Sequence, residues 1–171
     1  MLVTREADYA IRCVLEVARH GRISAAEVAR TRTISRTFLG KIVQTLAKAG
    51  IVSTRRGVGG GISLAVAPED LTLLQIIEAI EGPLVLNECL LPQPDCAHMA
   101  RCPAYPFLCE AQGTLRRILD VTVAEMLARE TAATNGNGEP PAAAAPIEVV
   151  AALASPNGHS PAGATVGGER T

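Results

Sequence analysis

Residues 34–65 read ISRTFLGKIVQTLAKAGIVSTRRGVGGGISLA, and the order of polar, apolar and glycine positions within them decides the fold. Ser35 is a helix-capping type whose hydroxyl satisfies a free backbone N–H. Behind it Phe38, Leu39, Ile42, Val43 and Leu46 recur at helical spacing, and Gly50 supplies a stop. The β-branched run at 51–54, the turn RRGVGGG and the run at 62–66 then predict a two-stranded hairpin, because glycines permit backbone angles that other residues avoid. A hairpin directly behind a helix of this kind is a wing.

Upstream, Ser24 followed by Glu27 is a capping-box pair that predicts a short helix over 24–31. The polar link 31–34 joins it to the helix after Ser35, and helix, tight turn, helix is the DNA-reading unit. Further upstream Thr4 caps a helix whose Ala7, Ala10, Ile11, Val14, Leu15 and Ala18 form one apolar face before Gly21. Cys13 falls inside that pattern as a small core residue. Downstream, Thr72 with Gln75 opens a helix that Gly82 and Pro83 close.

A loop rich in cysteine and proline follows, and helical spacing returns over 105–120 with Leu108, Leu115, Ile118 and Leu119. Thr122 and Glu125 cap a further short helix. From residue 131 the chain turns to Ala, Gly, Pro, Asn and Ser without aromatics, a composition that buries too little apolar area to offset ordering entropy. It is expected to be a disordered tail, with IEVVAALA (147–154) its one candidate partner-binding stretch. The expected fold is mainly α with a small β-hairpin wing. Its parts are a winged helix-turn-helix domain at 1–82, a cysteine-rich loop at 83–104, a long helix with a short following helix at 105–130, and the tail at 131–171.

The 171 residues are 48% hydrophobic, enough for one core but not for two full-sized domains. The first 21 residues carry scattered charges and no apolar run fit for a signal peptide or membrane span, so a cytoplasmic protein without membrane contact is expected. The net charge of −1 conceals an asymmetry: residues 1–66 hold 11 Lys or Arg against 4 Asp or Glu, and the remainder holds 5 against 13. A +7 N-terminal part points to a polyanion as partner.

That partner is double-stranded DNA on this reading. Base edges in the major groove face Ser35, Arg36, Thr37 and Lys41 at the start of the third helix. Arg55, Arg56 and Gly57 lie where the wing approaches phosphates or the minor groove, with Arg56 the first choice. Gly59 to Gly61 are not a nucleotide loop, since no Lys-Ser or Lys-Thr and no helix follow them. Three histidines, one of them in the tail, form no acid, base or nucleophile constellation, so no enzyme is expected.

Cys89, Cys96, Cys102 and Cys109 crowd into one irregular stretch, where a reducing compartment favours metal binding or thiol chemistry over structural disulfides. The wide spacings lack the two-residue gap usual in zinc sites and suit an iron–sulfur cluster. Local sequence alone leaves open a zinc knot, a reversible disulfide switch or free thiols.

The start TREADYAIR, the segment at 34–65 and a three-cysteine loop before a long helix together resemble the IscR/NsrR family of bacterial winged-helix regulators. The resemblance covers about residues 1–130. It implies a homodimeric transcription regulator, read as a repressor on a palindromic operator, that pairs through the long helix with Leu115, Ile118 and Leu119 at the interface. It also implies a cluster held by Cys89, Cys96 and Cys102, sensing redox, nitric oxide or iron–sulfur status, although the first gap is six residues where the best-known members have five. The histidine that the two-iron type places three residues after the third cysteine is Tyr105 here. The nitric-oxide-sensing type takes an aspartate from the partner's first helix, which matches Asp8 and favours a four-iron cluster. Cys109 and His98 are the alternative fourth ligands. The rival reading within the family is a cluster-free regulator controlled by cysteine oxidation, zinc or a small effector.

Overall fold

A computed structural model describes residues 3–57 and 59–135, with side chains through Thr131. The chain divides into Met1–Ala132 and the segment from Ala133, and all elements but the last turn of the final helix lie in the first unit. The elements are α1 (Arg5–His20), β1 (Arg22–Ile23), α2 (Ala25–Thr31), α3 (Arg36–Lys48), β2 (Val52–Arg55), β3 (Gly61–Leu64), α4 (Leu73–Glu81), α5 (Tyr105–Leu119) and α6 (Val123–Asn135). Two 3₁₀ turns, Glu88–Leu90 and Met99–Arg101, interrupt the loop between α4 and α5.

The expected caps are present. Thr4 accepts from the N–H groups of Glu6 and Ala7, Ser24 from Glu27, and Ser35 from Phe38. Reciprocal capping boxes open α4 (Thr72, Gln75) and α6 (Thr122, Glu125). Each satisfies backbone donors that a helix leaves free at its start. The turn between α2 and α3 holds Thr33 at φ +54, a left-handed conformation that a β-branched residue rarely adopts.

The wing is wider than a hairpin. β1, only two residues long, pairs antiparallel with β3, so the sheet has three strands in the order β1-β3-β2. Two residues leave no alternation for a sequence pattern to show. Gly61 makes the third strand possible, because a Cβ there would sit 2.7 Å from the Ile23 carbonyl oxygen.

α1 runs through the middle of the fold and packs on α3, α4 and the sheet. Val14, Val17, Val28, Leu39, Ile42, Leu46, Leu71 and Ile76 are buried together there. α6 returns to this core instead of staying with α5. Its start is stitched to that of α4 by Leu73 N–H to Val121 O (2.9 Å) and Val123 N–H to Leu71 O (2.8 Å), and Val123, Met126 and Leu127 pack inward. It continues to Asn135, beyond the residue at which the sequence reading starts the tail, and residues 136–171 with IEVVAALA lie outside the described residues.

α5 has no buried residue. Leu115 and Leu119 rest on a second small core of Leu74, Ile77 and Leu84, while Phe107 and Ile118 are 72% and 65% exposed. Of Leu115, Ile118 and Leu119, the two leucines are half-buried against this second core and Ile118 is exposed, with Leu115 also bordering the groove that Phe107, Ala111 and Ile118 line. About 100° of rotation per residue aligns Phe107, Ala111, Thr114 and Ile118 in one stripe and puts the two leucines roughly a quarter-turn round from it, on the flank toward α4.

Candidate nucleic-acid interface and cysteine loop

α3 buries Leu39, Ile42, Val43 and Leu46, and this fixes what its other face presents: Ser35, Arg36, Thr37 and Lys41 are all exposed. Arg55, Arg56 and Gly57 are exposed on the wing. A groove of about 400 Å³ runs between them, bordered by Arg36 and Gly40 of α3, Thr54, Arg55 and Gly57 of the wing, and Ser24 to Ala26 at the start of α2. Thr37, Lys41 and Arg56 lie outside its lining. The α2 residues and Gly40 were not singled out from the sequence, because a capping serine and a helical glycine have ordinary structural reasons to be where they are.

Charge completes the picture. Arg12, Arg19, Arg30, Arg32 and Arg116 each pair with a carboxylate. Among the described residues no ion pair engages Arg36, Lys41, Arg55 or Arg56. Four uncompensated cations on one face attract a polyanion and cost little to desolvate against phosphate.

The wing tip depends on close backbone packing. Gly57 has φ +95, Gly60 N–H donates to the Gly57 carbonyl at 2.9 Å, and a Cβ on Gly60 would lie 2.2 Å from the Arg55 carbonyl oxygen. Gly60→Ala is therefore expected to rebuild the tip and cost about 1–3 kcal/mol in stability. Urea unfolding checks this, and an unchanged midpoint with unchanged DNA affinity would show that the tip absorbs a methyl group.

Sequence reasoning passed over Glu16. It lies on α1, is 5% exposed, and its Oε2 accepts from Arg32 Nε at 2.8 Å and Arg19 Nη1 at 3.0 Å, while His20 Nε2 is 3.4 Å from Oε1. Burial pushes this carboxyl upward, but the hydrogen bonds and charges of Arg32 and Arg19 outweigh it and hold Glu16 below the usual carboxylate range. Arg32 directly precedes the strained Thr33, so this pair ties the turn between α2 and α3 to the centre of the fold. A single Glu in an amphipathic helix carries no mark that separates it from a solvated one.

In the cysteine loop, Cys89 and Cys102 are half-buried, and Cys96 and Cys109 are exposed. Backbone hydrogen bonds within the loop each span three residues, as in Leu90 to Asn87, Met99 to Cys96 and Tyr105 to Cys102. Its first end is held more firmly. The Gln112 side chain accepts from Leu86 N–H at 2.9 Å and donates to the Leu84 carbonyl at 2.7 Å, and Glu78 accepts from Leu84 N–H and from Arg116. Soft thiols on a locally held loop suit iron in kind. In place they are dispersed: among the described residues no three His, Cys, Asp or Glu side chains are drawn together to hold a metal ion. Asp8, half-buried on α1, pairs with Arg12 at 2.8 Å, and His98 is exposed before the second 3₁₀ turn. Cys13 is buried and its thiol is pushed up to about 12, first by burial and then by Glu16, so it stays protonated and inert.

No helix among the described residues is long and apolar enough to cross a membrane. A family profile described as Rrf2, iron-dependent transcriptional regulator, matches residues 3–129. An rrf2-like HTH-type transcriptional regulator of Rhodobacter capsulatus is 30% identical over 139 residues, covering 74% of this chain and 93% of the relative. The HTH-type transcriptional regulator NsrR of Shouchella clausii is 30% identical over 135 residues, covering 76% of this chain and 91% of its own. Among solved structures, T. potens IscR shares the fold with a TM-score of 0.61 at 24% identity, over 81% of this chain and 93% of that one. These relatives are named as transcription regulators and not as enzymes. The match along nearly the whole described chain, together with the winged-helix architecture, leaves one conclusion: the chain belongs to the Rrf2 family of transcription regulators.

Proposed function

We propose that the protein is a homodimeric, cytoplasmic repressor that reads a palindromic DNA operator with α3 and the wing, and that the cysteine loop is its sensor. The observation that carries this reading is the groove between α3 and the wing, rimmed by Arg36 and Arg55, which make no ion pair among the described residues. Ser35, Arg36, Thr37 and Lys41 are the major-groove set, and Arg55, Arg56 and Gly57 the wing set. Two-fold pairing sets two recognition helices one DNA turn apart, which matches a palindrome. Arg56→Ala is expected to weaken specific operator binding by about 1–3 kcal/mol if the side chain reaches a base edge. Fluorescence anisotropy with a selected operator measures it, and unchanged affinity removes Arg56 from the reading surface.

For the dimer, the exposed stripe of Phe107, Ala111 and Ile118 on α5 is the surface that a second copy covers. For the sensor, Cys89, Cys96 and Cys102 are the residues to hold an iron–sulfur cluster, four-iron in preference to two-iron. Asp8 of the second subunit is the first candidate for the remaining ligand, ahead of Cys109 and His98. The family profile's description as iron-dependent supports this. When bound, the cluster supplies a centre that oxygen, nitric oxide or iron shortage attacks. The chain's own contribution is mechanical. Gln112 and the Glu78–Arg116 pair tie the first end of the loop to α5 and α4, so a rearrangement of the loop reaches the dimer helix and the spacing of the two reading heads.

The deciding experiment purifies the protein without oxygen and assays iron, acid-labile sulfide and visible absorption for the wild type and Asp8→Ala. A brown protein near four irons per chain that loses them in the variant is the expected result. Colourless protein after iron-replete expression would leave the cluster-free alternative of cysteine oxidation, zinc or a small effector.

A further inference from the structure

Tyr105 and Cys109 stand one turn apart on α5, and the chain from Leu84 toward Cys89 is laid along the same helix in the opposite direction. Gln112 fixes that lane through Leu84 and Leu86. From Gln112 the helical rise of about 1.5 Å per residue places Cys109 about 5 Å and Tyr105 about 10 Å further along. The three residues from Leu86 to Cys89 span at most about 10 Å, so Cys89 can reach Cys109 and goes no further along α5 than Tyr105. The 3₁₀ turn that carries Cys89 packs on α5. On the helix Cys109 lies about 160° or more from the Phe107, Ala111 and Ile118 stripe, so covering that stripe leaves it open to solvent.

We propose that Cys89 and Cys109 are a redox pair that closes to an intrachain disulfide when the loop carries no cluster, with a hydroperoxide as oxidant. The Cys109 sulfur, the more exposed of the two, attacks the O–O bond as thiolate; it becomes a sulfenic acid, and the alkoxide leaving group takes a proton to give an alcohol, or water from hydrogen peroxide. The Cys89 sulfur, giving up its proton, attacks the sulfenyl sulfur and expels hydroxide, which that proton converts to water. Two thiols lose two electrons and the peroxide gains them. The pair needs neither iron nor Cys96 and Cys102, so it stands apart from the cluster reading. Once closed it ties the loop to α5 and withholds Cys89 from any metal.

The test uses full-length Cys96→Ser/Cys102→Ser protein, reduced, treated with an equivalent of hydrogen peroxide, blocked with iodoacetamide and mapped without reduction. The expected product is a Cys89 peptide linked to a Cys109 peptide within one chain, reopened by dithiothreitol, with Cys89 staying fully alkylatable in a Cys109→Ser background. Full alkylation of both after peroxide, sulfinate on Cys109 without linkage, or linkage only between chains would overturn the proposal. The wild-type chain, stripped of iron by a chelator, is the second arm: a Cys89–Cys109 link as the main product supports the pair, and Cys96 or Cys102 taking Cys89 in preference overturns it. Iron content of the untreated wild type judges the cluster reading separately.

Discussion

Replacing Phe107 and Ile118 together by glutamate is expected to leave a folded monomer that binds its operator about 10²–10⁴-fold more weakly, because the second half-site no longer binds at high effective concentration. Neither side chain packs in either core, so the winged-helix domain keeps its stability. In the native chain they expose a large apolar area on a helix that buries none of its residues within its own chain. An aromatic side chain alone contributes about 150–250 Å² on burial. In the dimer proposed above, two carboxylates per subunit at the seam would face their own kind across the two-fold axis, and desolvating them is costly. Light scattering coupled to size exclusion gives the oligomeric state, and anisotropy gives the affinity. A dimer that survives both substitutions would move the interface away from α5. Leu115→Ala, by contrast, removes packing against Leu74, Ile77 and Leu84 and is expected to lower stability.

Glu16→Ala carries the other large effect. Removing the carboxylate leaves Arg32 and Arg19 without their shared acceptor at the edge of the core. Breaking a buried pair costs about 3–5 kcal/mol, and since both arginines keep about a quarter of their side-chain surface in water, a loss of about 2–3 kcal/mol is expected. The sign of the pH dependence follows from the lowered carboxyl. Its stabilisation is fully present above the ordinary carboxylate range and is lost as pH falls through that range toward the folded value. Urea unfolding of the wild type and Glu16→Gln should therefore differ at neutral pH and converge in acid. A difference that stays constant down to the acid transition would mean that Glu16 acts through packing and not through charge. Because Arg32 leads into Thr33, operator affinity is expected to fall with stability as the turn between α2 and α3 loosens.

What was readable in the chain follows the range over which each feature acts. Caps at Thr4, Ser24, Ser35, Thr72 and Thr122 involve partners two or three residues away, so their spacing is visible directly. The apolar faces of α1 and α3 are equally local, and because burial of Leu39, Ile42 and Leu46 turns the opposite face outward, the exposure of Arg36, Thr37 and Lys41 follows from the same pattern. The basic bias of the first 66 residues anticipated the unpaired rim of the groove.

Features made by residues far apart in sequence were not readable. β1 has two residues and exists through its pairing with Ser63 and Ile62. α6 has the spacing of a helix that any surface might receive, and it is the stitch between Leu71 and Val123 that delivers it to the main core. Leu115, Ile118 and Leu119 look alike in the sequence, yet α4 takes two of them and leaves the third outside. The same holds for the cysteines: their crowding within 21 positions is visible in the sequence, but the placing of the segment from Leu84 along α5 depends on Gln112. Sequence alone determined the helix-turn-helix and the wing, since periodicity and capping act within a turn or two. Tertiary structure decided the third strand, the outward stripe of α5 and the Glu16 anchor, since each depends on contacts between segments that the chain brings together only on folding.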